Sequence, residues 1–174
     1  MTLDPSKGYR ALRHGRFSQD RGEYFITFCT ERRLIGLTRE TIASAILTEI
    51  QQMETEAIWF LRCAVIMPDH IHMFFQLGER LPLGKAIARL KSKSMIHLKA
   101  QELRWQKGYF EHTMRAQEDR LPLFLYVYLN PYKAGLVATD RIWPWFICGK
   151  EDKAWFSDYL DKGLPAPAWL ADLP

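Results

Sequence analysis

Between Glu23 and Arg33 the apolar positions alternate: Tyr24, Ile26 and Phe28 point one way, and Phe25, Thr27 and Cys29 the other. Their aromatic and β-branched character predicts a strand. Next, Ile42, Ile46, Ile50, Met53 and Ala57 recur at three- or four-residue steps behind Thr38 or Thr41 as an N-cap, the pattern of an amphipathic helix. "IWFLRCAVIMP" predicts a second strand, Pro68-Asp69 a short turn, and "HIHMFFQL" a third strand running back. In "LPLGKAIARLKSKSMIHLKAQ" the inward stripe is Leu83, Ile87, Leu90, Ser94 and Leu98, with Lys85, Arg89, Lys93 and His97 forming a separate i, i+4 stripe beside it. "RWQKGYFEHTMR" suits a loop and a fourth strand. "QEDRLPLFLYVYLNPYKAGLV" reads as a helix broken at Asn130-Pro131, because proline pushes the preceding residue out of helical conformation.

The order β-α-β-β-α-β-α predicts an α+β fold: a ferredoxin-like antiparallel sheet with helices on one face, plus a C-terminal tyrosine-bearing helix. Residues 1–22 read as a basic arm, 23–139 as the domain, and 140–174 as a Trp- and Pro-rich tail packing on it, with base stacking by its tryptophans as the less favoured reading. The length of 174 residues suits one such domain.

Charge sharpens the picture. The net charge is +4, but residues 80–115 hold nine Lys/Arg against two Asp/Glu, so the middle of the chain is suited to an anionic partner. Cys29, Cys63 and Cys148 have no C-x-x-C spacing, which argues against a zinc knuckle or disulfide framework and for a reducing cytoplasm. The first residues lack an apolar signal core and no apolar run reaches the roughly 20 residues of a membrane span, so a soluble protein without a membrane partner is expected.

The candidate chemistry starts at "MPDHIHMFF". On a strand His70 and His72 share one face with Phe74, while Ile71, Met73 and Phe75 share the other. Two neutral imidazoles side by side suit a divalent ion that recruits further oxygen ligands. On the last helix Tyr126 and Asn130 are four residues apart and share a face, whereas Tyr128 points nearly opposite. An Asn oxygen is a plausible ligand for Mg²⁺ or Mn²⁺ and the phenol a plausible nucleophile. Asn130 equally suits an N-cap for a short helix starting at Pro131.

"VIMPDHIHMFF", "WQKGYFEHTMR" and "YVYLNPYKAGLV" together resemble the blocks of the REP-associated tyrosine transposases, Y1 transposases of the IS200-like type within the HUH superfamily. Asp69 stands where Asn is common in the pattern, and Tyr132-Lys133 where Val-Arg is common. The resemblance implies His70, His72 and Asn130 as metal ligands and Tyr126 as the nucleophile. The implied reaction nicks single-stranded DNA, at folded palindromic repeats, through a 5′-phosphotyrosyl link with release of a 3′-hydroxyl. The alternative is a catalytically idle hairpin-binding protein of the same fold. His112 is a candidate proton acceptor, against a structural role. Arg10, Arg13, Arg16, Lys85, Arg89, Lys93 and Arg115 are the expected phosphate contacts. The working state is a monomer or homodimer, the tyrosine coming from the same or a partner subunit.

Overall fold

In the computed structural model, which describes residues 21–158 and 160–166, the predicted strands pair around a central hairpin. β1 is Glu23–Cys29, β2 Trp59–Ile66, β3 His70–Leu77 and β4 Phe110–Thr113. A fifth strand, β5 (Phe146–Cys148), joins them from the tail, and the sheet order is β4-β1-β3-β2-β5 with every pairing antiparallel. The helices are α1 (Glu40–Thr55), α2 (Leu83–Lys99), α3 (Leu121–Lys133) and α4 (Lys150–Ser157), and a small hairpin of β6 (Leu160–Asp161) and β7 (Leu164–Pro165) ends the described chain. β1-α1-β2 passes over β3, and β3-α2-β4 passes over β1. The two crossings interlock the halves, as in the β-α-β-β-α-β plan.

Strand alternation divides the sheet into two apolar layers. Tyr24, Ile26, Phe28, Ile71, Met73 and Phe75 pack under α1 and α2, where Ile42, Ile46, Ile50, Leu83, Ile87, Leu90 and Leu98 are buried as the periodicity predicts. Phe25, Cys63, Val65 and Phe74 face the other way and are covered by Phe124, Val127 and Tyr128 of α3. α1 and α2 therefore share one face, and α3 closes the opposite one.

Two expectations need correcting. α1 begins behind Arg39, not behind Thr38 or Thr41, and no side chain caps it. Its entry is set by the strand hairpin: the amides of Gly36 and Leu37 both donate to the Pro68 carbonyl, and Ile42 and Ala43 then bond to Arg39 O. α3 is not broken at Asn130-Pro131 but runs on to Lys133. Pro131 lies near the helix end, which closes in a Schellman motif: Leu136 N–H donates to Pro131 O and Gly135 N–H to Tyr132 O, with Gly135 at φ +65°. The reading of Asn130 as the N-cap of a new helix falls with it.

The segment after 139 is tied to the sheet. Beyond β5 itself, Ile66 N–H donates to Trp145 O and the Trp143 indole to Ile66 O at 3.1 Å. Trp169 lies outside the described residues.

A methyl group at Gly135 would meet nothing within 4 Å, so Gly135→Ala carries only the left-handed backbone penalty. A loss of about 1 kcal/mol is expected, read as a lower urea midpoint at unchanged m-value.

Candidate active site

β3 is flanked by β1 and β2, and its register decides what the histidines meet. Thr27 pairs with His72, and Cys29 with His70. Cross-strand partners carry their side chains on one face, so the Thr27 hydroxyl lies 2.7 Å from His72 Nδ1. His70 starts the strand directly after the turn; Met67 N–H donates to His70 O and Thr30 N–H to Asp69 O, which fixes the turn backbone. Asp69 Oδ1 then accepts from His70 Nδ1 at 2.6 Å, while its Oδ2 takes the Arg33 Nε–H at 2.6 Å.

With both Nδ1 atoms occupied, the two Nε2 atoms face each other 3.0 Å apart. If each Nδ1 donates, to Asp69 and to Thr27, each Nε2 is a bare acceptor, and two lone pairs at that distance repel unless a cation lies between them. The separation is that of two adjacent donors each roughly 2.1 Å from one octahedral ion. Burial lowers the His70 pKa, opposed by Asp69, and pushes His72 down to about 3, helped by the charges of His70 and Arg33. Neutral imidazole is the metal-binding form, and the carboxylate and hydroxyl on Nδ1 are the orienting partners that such ligands use. The residues present thus fit a divalent ion. Among the described residues no group of three His, Cys, Asp or Glu could hold one, so within them the further ligands would be amide, water or phosphate oxygens.

α3 brings its first-face tyrosine to this pair. The Tyr126 ring centroid is 5.2 Å from that of His72 and 5.9 Å from that of Phe25, which itself stacks on His72 at 5.5 Å. Tyr126 is 47% exposed, so a strand of nucleic acid can reach its hydroxyl. The other two tyrosines of α3 are occupied elsewhere: Tyr128 donates to Gly163 O at 3.1 Å and Tyr132 to Arg141 O at 3.0 Å. Burial also raises the Tyr128 phenol far above its usual range. Asn130 is half-buried, one helical turn beyond Tyr126 on the same helix.

The basic residues are distributed less simply. Lys85 and Lys93 are exposed on α2, but α2 lies on the opposite face of the sheet from the histidines. Arg89 is not a free cation: it donates to Glu56 at 2.8 Å and to Glu49 at 3.2 Å, clamping α2 to α1. That pairing also pulls the Glu56 carboxyl down to about 2. Arg115 is exposed, with its backbone amide on Glu118, and Arg10, Arg13 and Arg16 lie outside the described residues. His112 shares the histidine face through its pairing with Phe25, but its Nε2 is 2.8 Å from Glu118 Oε1. Thr27, Asp69, Arg33 and Phe25 also belong to the site, though the chain gives little warning of them. Only the adjacency of Asp69 to His70 was a usable signal, since Thr27 and Phe25 enter through strand register.

A family model described as transposase, IS200-like, matches residues 18–123, more than half of the chain. The chain belongs to the IS200-like transposases. The matched segment contains His70 and His72 and ends three residues before Tyr126. The REP-associated tyrosine transposase of Escherichia coli K12 is 28% identical over 109 residues, covering 63% of this chain and 61% of that protein. A Haemophilus influenzae protein provisionally given the same name is 32% identical over 103 residues, 51% of this chain and 58% of that protein. The chain thus spans about three fifths of the length of these relatives. The solved structure of a REP-associated tyrosine transposase bound to a REP hairpin shares the fold, with a TM-score of 0.62 at 23% identity over 77% of this chain and 81% of that one. No described helix is long and apolar enough to cross a membrane.

The depressed histidines link stability to pH. An unfolded histidine titrates near 6.5, whereas His72 in the fold does so at about 3. The folded state therefore binds fewer protons, and stability is complete above about pH 6.5 and falls as the pH drops toward the folded value. In metal-free protein, Tm should decline between about pH 7 and 5.5, and His72→Gln should flatten that decline; equal slopes would contradict the assignment.

Proposed function

We propose that this transposase is a metal-dependent single-strand DNA nickase and strand transferase acting in cis, with Tyr126 as nucleophile and DNA hairpins as substrate. The reading is carried by one observation: His70 and His72 aim their Nε2 atoms at a common point beside the exposed phenol of Tyr126. Family membership supports the transposase class, and the hairpin bound by the related structure supports the substrate.

In this reaction the Tyr126 oxygen bonds to phosphorus, the P–O3′ bond breaks, and the phenolic proton is lost as the 3′-hydroxyl takes one up. One phosphoester replaces another, so the 3′-hydroxyl of the same or another strand can reverse the step and join. His70, His72 and Asn130 would hold Mg²⁺ or Mn²⁺, which supplies Lewis acidity to a phosphate oxygen and to the departing 3′-oxygen. The residues of the chain supply position. Thr27 and Asp69 orient the imidazoles, and burial keeps them neutral. Phe25 packs edge-on to the Tyr126 ring at an interplanar angle of 84°, limiting its swing. Because tyrosine and histidines come from one chain, a monomer is sufficient.

Incubating the protein with a labelled hairpin oligonucleotide bearing single-stranded flanks, in Mn²⁺ or Mg²⁺, should give an adduct that survives denaturing electrophoresis. Tyr126→Phe should abolish it and Tyr128→Phe should not. Tight binding with no adduct in either metal would instead favour an idle hairpin-binding protein.

A further inference from the structure

Between α2 and residues 105–108 lies a groove of about 650 Å³ lined by Lys91, Lys99 and Lys107 together with Met95, Ile96 and Trp105. Lys91 is structural: its ammonium donates to the carbonyls of Gln106 and Gly108, strapping the segment to the helix. Lys99 and Lys107 are exposed, and among the described residues neither is in an ion pair, unlike Arg89. Arg104 is exposed on the same segment. Ile96, 71% exposed on α2, contributes nothing to the core.

The groove is joined to the catalytic face at two points. Gln106 N–H donates to Cys29 O at 2.8 Å, and Cys29 is the cross-strand neighbour of His70. Two residues past Gly108, Phe110 pairs with Thr27, the residue that bonds His72. The Phe110 ring is 51% exposed and turned to the histidine side, 6.5 Å from Phe25. Phe110 is two strands from His72, roughly 10 Å at the usual strand spacing. Exposed lysines lining a groove, with an exposed aromatic ring at its approach, are the two features that hold single-stranded nucleic acid: cations for phosphates and a flat face for a base.

We propose that this groove holds the single-stranded DNA flank that continues from the cleaved phosphate, Lys99 and Lys107 contacting its backbone and Phe110 stacking on a base. The inference rests on the function proposed above and adds where the strand runs: from His70 and His72 over the β4 edge, not across α3.

The test is fluorescence anisotropy with the full chain in EDTA, so that no strand is cut, comparing a bare hairpin with one carrying a single-stranded flank. For the flanked DNA, the double variant Lys99→Glu/Lys107→Glu should lose at least about tenfold in affinity, and the slope of log affinity against log salt should shrink by about 1.4, two phosphates' worth. Phe110→Ala should lose at least about fivefold. Bare-hairpin affinity should change less than about twofold in all of them. Undiminished binding of the flanked DNA by these variants, or an equal loss on the bare hairpin, would overturn the groove assignment while leaving the nickase reading standing. Failure of the wild-type protein to bind either DNA would overturn the functional reading beneath it.

Discussion

The antiparallel pairing of β1 with β3, with Thr27 opposite His72 and Cys29 opposite His70, is the constraint on which the rest of the site depends. A slip of one residue would turn both imidazoles into the helix-covered core and bring Ile71, Met73, Phe75 and Leu77 out of it. Those four side chains are fully buried. The slip would bury two imidazoles in the apolar layer under α1 and α2 and push these side chains into the layer that Phe25 and Val65 already fill under α3, so neither layer could pack. The apolar residues between the histidines therefore hold the polar ones in place. The turn adds a second lock, since the carbonyls of Pro68 and Asp69 accept the amides of Gly36, Leu37 and Thr30.

The two faces of the sheet then divide the work. Under α1 and α2 the packing is apolar, and polar contacts such as Arg89 with Glu56 and Glu49 join helix to helix. On the other face α3 must bury Phe124, Val127 and Tyr128 and yet leave Tyr126 in reach of solvent. Helical spacing reconciles the two demands, because Tyr126 and Tyr128 lie on nearly opposite sides of one helix. The same division governs charge. Burial is what chiefly disfavours protonated histidine, with Arg33 adding to it, while Asp69 pairs with Arg33 so that the guanidinium does not lack a counter-ion.

Local patterning carried much of this in the sequence. Alternation in "HIHMFFQL" separates the histidines from Ile71 and Met73, the stripe Leu83 to Leu98 marks the buried side of α2, and i, i+4 spacing singles out Tyr126 among three tyrosines. What was not legible depends on partners distant in the chain. Thr27 and His72 are 45 residues apart, and nothing in either stretch states their register. Arg89 belongs to a regular basic stripe, but its neighbours Glu49 and Glu56 come from another helix, so a cation counted as free is already neutralised. Proline biases its preceding residue away from the helix only statistically, and α3 continues through Pro131 to Lys133 before the chain closes on Gly135. The short strand Phe146–Cys148 carries too few residues for alternation to show, and it is recruited by the open edge of β2.

The central claim is that His70 and His72 ligate one ion together. Pulsed electron paramagnetic resonance of the Mn²⁺-loaded protein measures this directly, through the coupling of directly bound imidazole nitrogens to the metal spin. The account predicts two coupled nitrogens in the wild type and one in each of His70→Gln and His72→Gln. A bound Mn²⁺ with no nitrogen coupling, or with coupling that neither substitution alters, would contradict it.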